Sequence, residues 1–146
     1  MGALGLTTYN QFALASTTYT DLVSILWLPG EPISVLHLVP SSTTHPQKFL
    51  GRGPATLEGV LQTTTANERG FIAAVVGTQT ERHAIWVDGD GTEVYCHVYG
   101  GAITGREFMN PWGAAANTKL VRLSFKFVCG DQRLYKGSDD SVLVGS

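Results

Sequence analysis

Two runs of alternating residues either side of Asp88-Gly89-Asp90-Gly91 constrain this chain more than anything else in it. His83-Ala84-Ile85-Trp86-Val87 and Thr92-Glu93-Val94-Tyr95-Cys96-His97-Val98-Tyr99 flank that turn-forming stretch, which reads as a β-hairpin. A two-residue loop at Asp90-Gly91 would set Asp88 opposite Glu93, and like charges disfavour it. A four-residue loop over Asp88–Gly91 is therefore expected. It places Ile85, Val87, Val94, Cys96 and Val98 on one face and Trp86, Tyr95, His97 and Tyr99 on the other. Both faces carry large residues, so the second should also be covered, by other elements or by another chain.

A short helix is expected just before the hairpin, over about 65–77. Thr65-Ala66-Asn67-Glu68 has capping-box spacing, with a hydroxyl and a carboxylate serving each other's backbone N–H groups. Phe71, Ile72, Val75 and Val76 share one helical face, and Gly77 stands where a left-handed terminator belongs. Gly70 weakens the helix, so burial of that face must support it.

The remaining chain reads as strands and turns. Residues 1–20, with isolated Tyr9, Phe12 and Tyr19, form an extended N-terminal arm or edge strand. The apolar runs 22–28 and 33–39 read as a hairpin through Pro29-Gly30-Glu31-Pro32. Residues 40–54 form a polar loop, and 56–62 a short strand. Residues 100–119 form a long loop rich in Gly, Ala and Asn, a length that is usually functional. Leu120–Cys129 alternates most regularly, with Val121, Leu123, Phe125, Phe127 and Cys129 facing the core and Arg122, Ser124 and Lys126 facing away. A short C-terminal tail covers about 130–146. The fold class is mainly β, a β-sandwich or barrel-like set of antiparallel sheets with one packed helix. With 146 residues and no linker, 1–146 reads as a single domain able to bury about 70 % of its unfolded surface.

Charged residues make up 15 % of the chain and apolar ones 43 %, against about 25 % charged in ordinary domains. So little charge suggests that much of the surface meets other protein. A net charge of −2 without a basic stripe argues against a general nucleic-acid binder. No secretory leader, membrane span or myristoylation motif is expected, and so no membrane binding by this chain. Cys96 and Cys129 both fall on inward strand positions and read as buried thiols, with a disulfide the minority reading.

Catalytic and metal chemistry finds little support. Asp88 to Glu93 resembles the start of a calcium loop, but strands flank it and later ligands are missing. A solvated turn is the better reading, and no metal or cofactor is expected. His37, His45, His83 and His97 lack metal spacing, and the expected register puts His83 and His97 on opposite faces. There is no nucleophile elbow, and Gly51-Arg52-Gly53 lacks the Lys-Ser/Thr of a phosphate loop. Trp86, Tyr95, Tyr99 and Trp112 could stack on a sugar or anchor a subunit interface. Low charge favours the interface, and Phe108 and Met109 join the same candidate set.

The order of parts carries a resemblance. Gly53-Pro54-Ala55-Thr56-Leu57-Glu58-Gly59-Val60-Leu61 leads into the helix, then the hairpin from Trp86 to Val98, then the long loop. Leu120-Val121-Arg122-Leu123-Ser124-Phe125-Lys126-Phe127 follows and runs out into Asp131 and Tyr135. Over about 35–135 this resembles the N-terminal ring-forming domain of distal tail proteins of long-tailed bacteriophages, and more loosely tail-tube and tail-terminator proteins. The resemblance implies a β-sandwich with one packed helix, assembled as a hexameric ring that DNA crosses, and no catalytic residues. The chain departs from the pattern by lacking the second, carbohydrate-binding-like domain.

The expected function is thus a structural, non-enzymatic subunit of a phage tail, at or near the tip. It would be located in the virion tail and assembled in the host cytoplasm. Its partners would be copies of itself, other phage tail proteins and DNA in transit without specific binding. Phe108, Met109, Trp112, Trp86, Tyr95 and Tyr99 are the expected interface residues. A tail-tube or terminator role and a carbohydrate-binding β-sandwich module are the alternatives; a small enzyme would lack any visible constellation.

Overall fold

The computed structural model describes residue 6 and residues 8–36, 47–109 and 119–145. Strands dominate among the described residues, the main sheet is antiparallel, and it does not close into a barrel. In chain order the elements are β1 (Phe12–Leu14), β2 (Thr17–Tyr19), β3 (Leu22–Leu28), β4 (Pro32–Leu36), β5 (Gln47–Arg52) and β6 (Thr56–Thr64). Then come α1 (Glu68–Val76), β7 (Arg82–Val87), β8 (Glu93–Phe108), β9 (Leu120–Cys129), β10 (Leu134–Lys136) and β11 (Val142–Val144).

Seven strands run in the order β2-β1-β7-β8-β9-β6-β3, with β10 pairing to β8 and β11 to β10, while β4 and β5 form a separate ribbon. The main sheet curls strongly. Phe12 of β1 meets Phe125 of β9 with ring centroids 5.2 Å apart, although two strands lie between them in the sheet. The cause is a core that fills the inside of the curl with large rings. Phe12, Phe71, Phe125 and Phe127 are all fully buried, each stabilising the fold by about 1.5–3 kcal/mol. Helix α1 closes the mouth of the curl, its Phe71 5.4 Å from Phe125 and 4.9 Å from Tyr19.

The β9 alternation matches its sequence pattern, with Val121, Leu123, Phe125, Phe127 and Cys129 inward. The central hairpin does not match the expected register. Val87 opposes Glu93 and Trp86 opposes Val94, which leaves a five-residue turn over Asp88–Thr92. Side chains absorb the extra residue: Gly89 N–H donates to Asp88 Oδ1 at 2.8 Å and Thr92 N–H to Asp90 Oδ1 at 3.0 Å. Gly91, at φ 86°, completes the reversal. An odd loop moves β7 by one residue, so Ala84 and Trp86 join Val94, Cys96 and Val98 in the main core. Ile85, Val87 and Tyr95 instead form a second cluster with Leu6 and Ala13, against which Tyr135 packs.

Three further expectations change. The helix begins at Glu68 with Asn67 as its cap and no side-chain capping bond. Glu68 turns instead to Arg106, whose Nε and Nη2 donate to it at 2.9 and 3.0 Å. Gly77 is not left-handed (φ −76°); its N–H donates to Ala73 O at 2.8 Å, and the Thr78 hydroxyl caps Ala74 O at 2.8 Å. Phe71 and Val75 are buried as expected, whereas Val76 is exposed.

The runs 22–28 and 33–39 do not form a hairpin. β3 pairs with β6 and β4 with β5, because the Pro29–Pro32 stretch hands the chain from the sheet to the ribbon. Nor is Gly100–Phe108 a loop: it continues β8 and pairs with β9 through a register shift between Tyr99 and Ala102. The reason sits at Gly100 and Gly101. Gly100 has φ 62°, and a Cβ on Gly101 would collide with the Val75 carbonyl and the Phe127 ring. A bulge without side chains is what lets the helix lie directly on this strand.

Candidate assembly surface

One face of β3, β6, β9 and the second half of β8 holds the core, and the opposite face is open. Across the open face the pairs Leu26↔Glu58↔Lys126↔Ala102 and Val60↔Ser124 follow one another. Its charges are balanced in number: Lys126 Nζ lies 3.5 Å from Glu58, and Arg122, whose Nε donates to the neutral Gln62 Oε1 at 3.2 Å, stands opposite Glu107 in the β8–β9 register. The face is therefore polar but nearly neutral.

At its border lies β3, an outermost strand of the sheet. Its Val23, Leu26 and Leu28 are exposed by 46, 51 and 46 %, while Ile25 and Trp27 pack against the core. An edge strand of seven residues with apolar side chains and backbone groups unused by this sheet is a template for another strand. The run LVSILWL reads from sequence as one apolar arm of a hairpin, so its outward apolar residues carried no signal of their own.

The expected interface residues divide. Phe108 is exposed by 47 % and lies between two cations, 5.6 Å from Arg106 and 5.9 Å from Lys119. Met109, next to it, is half-buried and donates its N–H to Leu120 O. Tyr99 is 40 % exposed. Trp86 and Tyr95 are corrected: both are buried within this chain, at 3 and 4 % exposure, because the odd hairpin turn and the packing of Tyr135 enclose them. Trp112 lies outside the described residues, as do His37 and His45.

His83 and His97, expected on opposite faces, are opposite each other across the hairpin and touch, centroids 4.6 Å apart. No group of three or more metal-ligating side chains occurs among the described residues. Cys96 and Cys129 are free, buried thiols; the hydrogen bond that Cys96 donates to its neighbour Cys129 and then burial push the Cys96 thiol well above its ordinary value. Asp90 is held below the usual carboxylate range by the Thr92 backbone and hydroxyl, as befits a turn-forming acid. An open groove of about 470 Å³ between β2, β6 and α1 is lined by neutral Thr17, Gln62 and Asn67 with Asp21, an unpromising set for nucleophilic chemistry.

A curled, open antiparallel sheet with one helix in its mouth and, among the described residues, two edges without a further strand defines the class of this fold. No protein-family model matches the sequence, and no curated protein matches it. Among solved structures, the tube-terminating cap of the anti-feeding prophage is similar over 92 % of this chain and 91 % of its own, with 10 % identity and a TM-score of 0.52. Weaker likenesses are to a chain of the native gene transfer agent virion (12 % identity, 87 % of this chain, 95 % of that one, TM-score 0.47). Another is to Hcp1 from Flavobacterium johnsoniae (8 % identity, 92 % of this chain, 98 % of that one, TM-score 0.44). The cap establishes a shared fold.

Proposed function

We propose that this chain is a structural subunit of a phage-type tail, forming a ring, hexameric by the resemblance, around a channel that DNA crosses. The observation that carries the reading is β3: a long, apolar strand that pairs with β6 on one side and, among the described residues, with no strand on the other, at the rim of a sheet whose open face is nearly neutral. Pairing β3 with a strand of a neighbouring copy would hide Val23, Leu26 and Leu28 and satisfy the free edge. A neutral open face, turned to the channel, would let phosphates pass without the salt-sensitive affinity that unpaired Lys and Arg create. Phe108, Met109 and Tyr99 would make contacts to neighbouring copies or to other tail proteins.

Likeness to a cap that terminates a tube favours the terminator position over the tip, so the tail-tube and terminator reading stands beside the first. Native mass measurement and negative-stain imaging of the purified chain test both. Hexamers, rings or stacked tubes are expected; a stable monomer at high concentration would sink the ring. Duplex DNA should show no micromolar binding at physiological salt.

A further inference from the structure

The second cluster holds titratable side chains for which ring formation has no use. His83 and His97 sit opposite each other on β7 and β8, edge to face at 4.6 Å. Tyr95 lies 4.8 Å from His83 and stacks at 5.0 Å on Tyr135 of β10, whose ring is 5.3 Å from His97. Each nearby acid is already engaged. Glu81 faces His97 Nδ1 at 2.9 Å, Asp140 accepts from the Tyr95 hydroxyl at 2.8 Å, and Asp131 accepts from the Tyr135 hydroxyl at 2.6 Å. Burial and then the Asp140 bond push the Tyr95 hydroxyl up to about 12, so it stays a donor at any ordinary pH. Arg133 adds a positive charge beside Tyr135.

This stack is a large part of what seats the C-terminal hairpin. β10 meets β8 only at Tyr135↔Tyr95 and Lys136↔Val94, supported by Gly137 N–H donating to Glu93 O at 2.8 Å. Half-buried Leu134 packs on the main core, while β11 is exposed throughout. We propose that the group is a proton-operated latch: with the His83 imidazole neutral the Tyr95–Tyr135 stack holds β10–β11 on β8, and a charge on His83 loosens it.

Burial first, and the neighbouring His97 next, hold His83 below the ordinary imidazole value of 6.5; Asp140 and Glu81 oppose this more weakly. The sign follows from linkage. A histidine whose folded value is depressed contributes stability that is fully present above pH 6.5 and is lost as pH falls through the folded value. Mild acid would therefore free a hairpin whose last strand is Val142-Leu143-Val144, each 43–46 % exposed already.

Amide hydrogen exchange on the intact chain, corrected for intrinsic pH dependence, tests the latch at about pH 7.5 and about pH 5. Peptides covering 134–144 should lose about tenfold in protection at the lower pH, while those covering β6 and β9 keep theirs. His83→Gln, a neutral amide, should keep the hairpin protected at both. Equal protection of 134–144 at both pH values in the wild type overturns the proposal. So does a loss shared by every peptide, or one that persists in His83→Gln. Should that variant fail to fold, proton NMR of the wild type decides: Tyr135 ring shifts must follow the titration of His83, and shifts independent of it sink the latch.

Discussion

The two halves of β8 have one backbone and opposite circumstances. From Glu93 to Val98 the strand has β7 on one side and β10 along part of the other, with Val94, Cys96 and Val98 in the main core and Tyr95 in the second cluster. Beyond the pair Arg82↔Val98, β7 has ended and the strand pairs with β9 alone among the described strands. There Tyr99 and Phe108 are exposed, and Ile103 is only partly buried. The bulge at Gly100-Gly101 marks the change. The first half is largely enclosed, whereas the second holds core on one face and leaves the other exposed.

Substitutions should separate the halves. Trp86→Ala, facing the first half across Val94, should have the largest effect. It leaves a cavity in a tightly packed core and should cost about 3–5 kcal/mol in urea unfolding. Gly101→Ala, at the junction, forces a Cβ against the Val75 carbonyl and Phe127, which cannot both retreat. A loss of about 1–3 kcal/mol is expected, with faster amide exchange in α1. A loss confined to assembly would mean that the helix does not depend on the bulge.

Leu26→Lys with Leu28→Lys, on the edge strand beside the second half, should change stability by less than about 0.5 kcal/mol and abolish rings in native mass spectra. Rings of wild-type mass from that variant would remove β3 from the contact. Phe108→Ser should be the mildest. The melting temperature should hold, while ring formation becomes more sensitive to salt once Arg106 and Lys119 lose the ring between them.

These contrasts also explain what could be read from sequence. The β9 alternation is legible because Arg122, Ser124 and Lys126 make the middle of one face polar, and period two leaves no other register. The central hairpin is visible as an element but not in register. Its parity depends on Asp88 and Asp90 bonding to nearby backbone, which costs one residue and carries Trp86 inward. Thr65-Ala66-Asn67-Glu68 has the right letters for a capping box, yet Arg106, 38 residues away, wins the carboxylate. Of the candidate surface residues, exposure was legible only for some: Phe108 and Tyr99 are outside, Trp86 and Tyr95 are inside. The β3 edge was hidden because an apolar run looks the same in a buried strand and in one awaiting a neighbour.

One amide side chain sets the bearing of the β4–β5 ribbon. Gln132 accepts from Gly30 N–H at 2.7 Å through Oε1 and donates to Gly53 O at 2.6 Å through Nε2. It thus pins both legs at the root, where Arg52 Nη1 also donates to Gly30 O at 2.9 Å. The ribbon behaves as a lever clamped at its fulcrum. The root is thus tied to the turn after β9 through Gln132 as well as, along the chain itself, to β3 and β6, so the ribbon has three anchors where a bare hairpin would have two.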